Sequence, residues 1–257
     1  MIARRLALSL ALPLLLLLAW QVLGLAASPG SRMPTPLNVL RAAWDMSATG
    51  DLPTALLQSL GRVSVGFAVS ATLALVIGTL MASYRAVGRS LDPLVESFRP
   101  IAPMALLPLA ILWFGTGTGA AAFLVGYAAF FPMLVNTVHG VAGVDPGLVR
   151  AARSLGVGKL TILRTVVLPG ALSHVFVGAR LALGVAWTSI IAAELAVGAK
   201  SGGGTSGGIG QAMFVFYAYS IDLDRIVVCM MSVGLVALLI DGGVRSVQQR
   251  IMPWKAR

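Results

Sequence analysis

Glu194 stands inside the apolar stretch GARLALGVAWTSIIAAEL. An ionisable side chain in such a setting is costly to bury and commonly has a task or a partner. Arg180 precedes it by fourteen residues, about 21 Å along a helix, so the two cannot pair within one helix. Two roles fit the acid. It is a gate contact or a polar group lining a pathway, with Trp187, Pro103 and Pro108 as further candidates, or it is a hydrogen-bonded structural acid near a membrane surface. Direct binding of an anion by Glu194 is disfavoured by charge repulsion. Enzyme chemistry finds little support elsewhere. The chain shows no nucleophile–base set and no paired carboxylates. His139 and His174 have no Cys, Asp or Glu at ligand spacing, so no metal ligands are assigned, and the single cysteine, Cys229, cannot form an intrachain disulfide.

The second cluster of interest is basic. Residues 150–169 read RAARSLGVGKLTILRTVVLP. The segment LGVGKL looks like a phosphate loop, but that motif needs Gly where Arg153 stands and Ser or Thr where Leu160 stands. GGGTSG at 202–207 matches a dinucleotide pattern in letters but follows no strand. With no nucleotide site, energy for pumping must come from an ion gradient or from a partner.

The elements that position these residues are membrane helices. Of the 257 residues, 58% are hydrophobic and 11% charged, and the mean hydropathy is +0.90, so lipid is the solvent the composition calls for. Six segments are long and apolar enough to be read as spans: about Leu6–Ala27, Leu60–Tyr84, Pro93–Phe114, Ala120–Val141, Gly178–Val197 and Ile226–Ile240. The third is interrupted by Pro100, Pro103 and Pro108, and the sixth is short enough to need residues from either side. The first resembles a secretory signal in outline, but its length and the apolar remainder favour a retained helix.

Charge orients the bundle. With the N-terminus inside, Arg4, Arg5, Arg85, Arg89, Arg150, Arg153, Lys159, Arg164, Arg245, Arg250, Lys255 and Arg257 lie on the inner side, against Arg32, Arg41, Lys200 and Arg225 outside. Arg62, Arg99 and Arg180 fall near span ends, where long side chains reach the interface. Both termini are therefore expected in the cytoplasm. The net charge of +10 then reflects topology, and no nucleic-acid partner is implied. Local ion pairs are expected for Glu96–Arg99 and Asp241–Arg245 at helical spacing. In the first outer loop, Leu37, Leu40 and Trp44 mark one face of a short helix on the outer surface, expected to pack as a lid over the bundle rather than to bind a partner. The glycine-rich GAKSGGGTSGGIG reads as a flexible connector.

Within the basic loop, Asp145-Pro146 is a helix start, and Leu148, Ala151, Ala152 and Leu155 share one helical face. Gly156 ends this helix. A second short helix is expected over Lys159–Leu168, ended by Pro169. The organisation is thus 1–59, a first transmembrane helix with an outer loop and surface helix; 60–245, a transmembrane core with its cytoplasmic loop at 143–170; and 246–257, a basic tail.

The order Ala151-Ala152, Gly156, Val166 and Leu168-Pro169 resembles the EAA loop of ABC importer permeases. It departs from that pattern at Arg150, where the family has Glu, and at Val166, where it has Ile. Further stretches, including LDPLVESFRPIAPMALLPLAILWFGTG and FFPMLVNTVHGV, are similar to the nitrate/sulfonate/taurine branch of these permeases. The resemblance implies an all-α integral membrane protein with about six transmembrane helices in a type I ABC importer bundle, in a bacterial cytoplasmic membrane. It implies that Arg150, Ala151, Ala152, Leu155, Gly156, Lys159, Leu168 and Pro169 belong to a coupling loop docked on an ATPase. The implied partners are two cytoplasmic ATPase subunits using ATP and Mg, a second permease copy forming a homodimer, an extracytoplasmic substrate-binding protein and the lipid bilayer. The chain itself would hold no cofactor, and the cargo would be a small anion such as a sulfonate, taurine or nitrate. The alternative is a stand-alone transporter driven by an ion gradient.

Overall fold

The structure is a computed structural model that describes residues 2–26, 33–198 and 207–252. Among these residues every regular element is helical. Helix α1 spans Ile2–Ala26, and α2, Pro36–Ala48, is capped by the Thr35 side chain, which accepts from the Asn38 N–H. Four long apolar helices form the body: α3 (Asp51–Ser83), α6 (Thr118–Ala142), α9 (Leu168–Gly198) and α11 (Leu223–Ile251). Each exceeds the roughly twenty residues needed to cross a bilayer. Between α3 and α6 lie α4 (Arg85–Phe98), a 3-10 turn at Pro103–Leu106 and α5 (Leu107–Phe114). Helix α7 (Pro146–Ser154) and the short α8 (Lys159–Ile162) precede α9, and α10 (Ile209–Val215) precedes α11.

Close contacts give the helix directions. Along α3, buried Ser59, Val63, Gly66, Ser70, Ala74 and Gly78 recur every three or four residues, the small-residue stripe that lets membrane helices approach. At Gly66 the backbones are so near that an added Cβ would lie 2.6 Å from the Ala122 carbonyl oxygen, and at Gly78 one would lie 3.0 Å from Thr137. Helices α3 and α6 therefore run parallel. Gly140 meets Ala171 and Gly178 meets Asn136, so α9 runs antiparallel to α6. The Trp187 indole N–H donates to the Val233 carbonyl at 3.0 Å, and Arg180 pairs with Asp241, so α11 is antiparallel to α9. One end of the bundle thus gathers the starts of α3, α6 and α11 with the end of α9. The other end gathers α7, α8 and most of the arginines.

Two expectations change and one is sharpened. The interruption expected in Pro93–Phe114 is a sharp bend: Arg85–Phe98 and Pro103–Phe114 meet at 87°. Pro100 and Pro103 supply no N–H across the bend, and the Tyr127 hydroxyl holds it by donating to the Phe98 carbonyl at 2.5 Å. The Glu96–Arg99 pair does not form among the described residues, whereas Asp241–Arg245 does, at 3.0 Å. On α2, Leu37, Leu40 and Trp44 remain exposed, and Val39 and Met46 on another face are buried. The exposed stripe suits a helix lying in a membrane interface with that face to lipid.

Candidate functional site

The elbow at the basic end is built from local signals. Asp145 accepts from the Gly147 N–H at 2.7 Å and Pro146 opens α7. At the far end Gly156 N–H reaches the Arg153 carbonyl and Val157 N–H the Ala152 carbonyl. This paired closure places Gly156 at φ +77°, a conformation that favours glycine. Within α7 and its cap, Leu148 is 57% exposed and Leu155 82% exposed, so this chain leaves them uncovered. Arg150, Ala151 and Lys159 are also exposed and Ala152 is half-buried.

Pro169 does not end a helix, contrary to the sequence reading. Helix runs unbroken from Lys159 to Ala196. The accommodation is a π-helical turn at Leu163–Val167, in which the Leu168 N–H bonds to the Leu163 carbonyl, five residues back. Pro169 has no N–H for a bond four residues back and its ring crowds that carbonyl. The wider turn absorbs both problems and keeps α8 rigidly joined to α9.

At the opposite end, Glu194 is 2% exposed and held by three residues from α3 and α10. The Ser59 hydroxyl lies 2.9 and 2.8 Å from its two carboxylate oxygens. Arg62 Nη1 pairs with Oε1 at 2.8 Å, and the Gly210 N–H donates to Oε2 at 3.0 Å. Ile209 N–H donates to Ser59 Oγ at 2.9 Å, and Arg62 also donates to the Gly207 carbonyl. Gly208, at φ +101°, has room for no Cβ, which would lie 2.2 Å from Glu194 Oε1. So the described end of the glycine-rich connector is packed against the acid; residues 199–206 lie outside the described residues. A buried charge needs both a counter-charge and hydrogen bonds for its remaining lone pairs, and Glu194 has both.

Pro103 lines a cavity of about 400 Å³ together with Arg99, Tyr127 and Asn136. Trp187, 1% exposed, anchors α9 to α11 through Val233. Pro108 is exposed at the start of α5.

A family profile described as the binding-protein-dependent transport system inner membrane component matches residues 74–253, more than two thirds of the chain and the whole elbow. The chain belongs to that family. Among relatives of the permease, the taurine transport system permease protein of Escherichia coli is 32% identical, with 95% of this chain and 87% of that protein covered. The bicarbonate transport system permease protein of Synechococcus elongatus is 32% identical, covering 92% and 86%. The permease fold is also that of the MetNI methionine ABC transporter in an inward-facing conformation: TM-score 0.62 at 19% identity, over 76% of this chain and 93% of that one.

Ser59 and Arg62 precede the matched region of this permease, and sequence reading assigned neither to Glu194. Their signal was faint: a serine and an arginine three apart on one face of α3, near the same end of the bundle as the acid. The Arg62 side chain, read as reaching an interface, is 15% exposed and turns inward.

Proposed function

We propose that this permease is the membrane-spanning subunit of an ATP-driven importer for a small anion, with two copies lining one pathway in a bacterial cytoplasmic membrane. The basic end faces the cytoplasm by the charge rule, which puts Glu194 at the outer end. The observation that carries the reading is the pair of uncovered leucines, Leu148 and Leu155, on an elbow continuous with a span. Exposed leucines outside lipid call for a partner, and the partner here is a cytoplasmic ATPase that supplies ATP and Mg chemistry this chain lacks. Arg150, Ala151, Ala152, Gly156 and Lys159 border the docked face.

Movement of a docked α7 would pass through Leu168 and Pro169 along α9, about 46 Å long, to the outer end. A rigid lever of this kind converts closure of an ATPase pair into rocking of spans. An extracytoplasmic binding protein delivers the cargo. Taurine and bicarbonate, named for the relatives, share a negatively charged group rich in oxygen, which supports an oxyanion cargo for this chain.

The test is purification of the full chain from its native membrane in mild detergent. An ATPase should co-purify, and Leu155→Asp should release it while the permease stays monodisperse. Uptake that persists in vesicles free of any ATPase would instead establish the ion-gradient alternative.

A further inference from the structure

Arg99 has no carboxylate partner among the described residues, and no Asp or Glu lines the cavity of about 400 Å³ to which it contributes. The other walls come from α6 and α9. Tyr127 and Asn136 lie about 14 and 27 Å along α6 from Thr118, and Leu181 and Val185 lie near the middle of α9. The cavity is therefore at mid-depth in the bundle. The Arg99 side chain is exposed on the single chain, and an exposed guanidinium at mid-depth, lacking an acid, is costly against lipid unless water or an anion meets it there. Elsewhere in the bundle this chain supplies partners: Arg62 has Glu194 near one end, and Arg180, part-way along α9, has Asp241.

The surroundings hold Arg99 in place without neutralising it. Phe98, its neighbour, accepts both the Ile101 N–H at 3.1 Å and the Tyr127 hydroxyl at 2.5 Å. These bonds fix the bend from which Arg99 extends. Asn136 uses one amide hydrogen on the Pro132 carbonyl at 2.8 Å and has a second to offer. The remaining lining is apolar apart from backbone.

We propose that Arg99 is a way-station for the transported solute: its guanidinium receives one oxyanion group of sulfonate or bicarbonate type, with Asn136 as a second donor and Tyr127 as a positioning residue. A planar fork of N–H donors matches two oxygens of such a group, and an unneutralised cation in an apolar cavity concentrates anions. The proposal rests on the importer reading and adds the residue that selects charge. A lipid phosphate carries the same chemistry, so the source must be separated in the experiment.

The probe is a cysteine placed in the cavity, Val135→Cys, with Cys229→Ser removing the native thiol, in the full permease–ATPase complex in phosphatidylcholine nanodiscs. Modification rates are measured with an anionic sulfonatoethyl and a cationic trimethylammonioethyl methanethiosulfonate, each normalised to its rate with a small free thiol. We expect the anionic reagent to be preferred about tenfold, the preference to vanish in Arg99→Gln and to persist in Arg99→Lys. Methanesulfonate should slow labelling in a saturable way, and its neutral near-isostere dimethyl sulfone should not. Tyr127→Phe should weaken methanesulfonate protection and leave a cysteine on the exposed face of α4 labelled at an unchanged rate. A preference unaltered by Arg99→Gln, or a cysteine that neither reagent reaches, overturns the proposal. So does loss of preference on adding phosphatidylglycerol with no protection by methanesulfonate, which would mark a lipid site. If the ATPase co-purifies and these results fail, only the way-station falls; if the ATPase does not associate, the importer reading falls.

Discussion

Ser59 places its hydroxyl oxygen 2.8 and 2.9 Å from the two carboxylate oxygens of Glu194, across 135 residues of sequence. Because the same oxygen accepts the Ile209 N–H at 2.9 Å, its single proton is left for the acid. This oxygen joins α3, α9 and α10 in one knot at the end of the bundle opposite the elbow.

Removing Arg62 leaves that acid buried without its counter-charge. Arg62→Met should destabilise the permease by about 3–5 kcal/mol, and Arg62→Met with Glu194→Gln should recover most of the loss. Ser59→Ala should cost about 1–3 kcal/mol. Thermal unfolding of the detergent-solubilised protein, run as a double-mutant cycle, measures these. An additive double variant would show that the two side chains do not act as a pair.

The elbow depends on Gly156 at φ +77°. Gly156→Val should uncouple ATP hydrolysis from uptake, because a β-branched residue resists that conformation. Gly156→Asn should retain most coupling, since Asn tolerates it. Uptake by the valine variant at wild-type rate and expression would refute the role.

Pro169 and the π-helical turn before it form one device. Pro169→Ala restores an N–H and should let the turn tighten into regular helix, rotating α8 and α7 by about 100° relative to α9. Uptake should fall while the melting temperature holds or rises. Disulfide trapping between cysteines on α7 and the ATPase would report the rotation.

The seam between α3 and α6 has no room at Gly66, where a Cβ would meet the Ala122 carbonyl at 2.6 Å. Gly66→Leu should abolish monodisperse protein in size-exclusion chromatography. By contrast Arg245→Ala, which removes an exposed pair with Asp241, should shift stability by less than about 1 kcal/mol.

Residue types and spacing alone determined the solvent, the long helices and the elbow. These are local matters: an apolar run needs only itself to satisfy its backbone in lipid, and Asp145, Pro146 and Gly156 act on their immediate neighbours. The reading went wrong at Pro169, and it left the size of the bend within Pro93–Phe114 open, because a proline announces a disturbance without saying whether a π-helical turn or a sharp bend absorbs it. Only the tertiary structure decided which charges meet. Arg62 and Glu194, 132 residues apart, become partners because α9 runs antiparallel to α3. Arg99 is left facing a cavity because its turn is tied to Tyr127 on α6, away from Glu96. Electrostatics at depth depends on distances between helices, and no pattern within one helix records them.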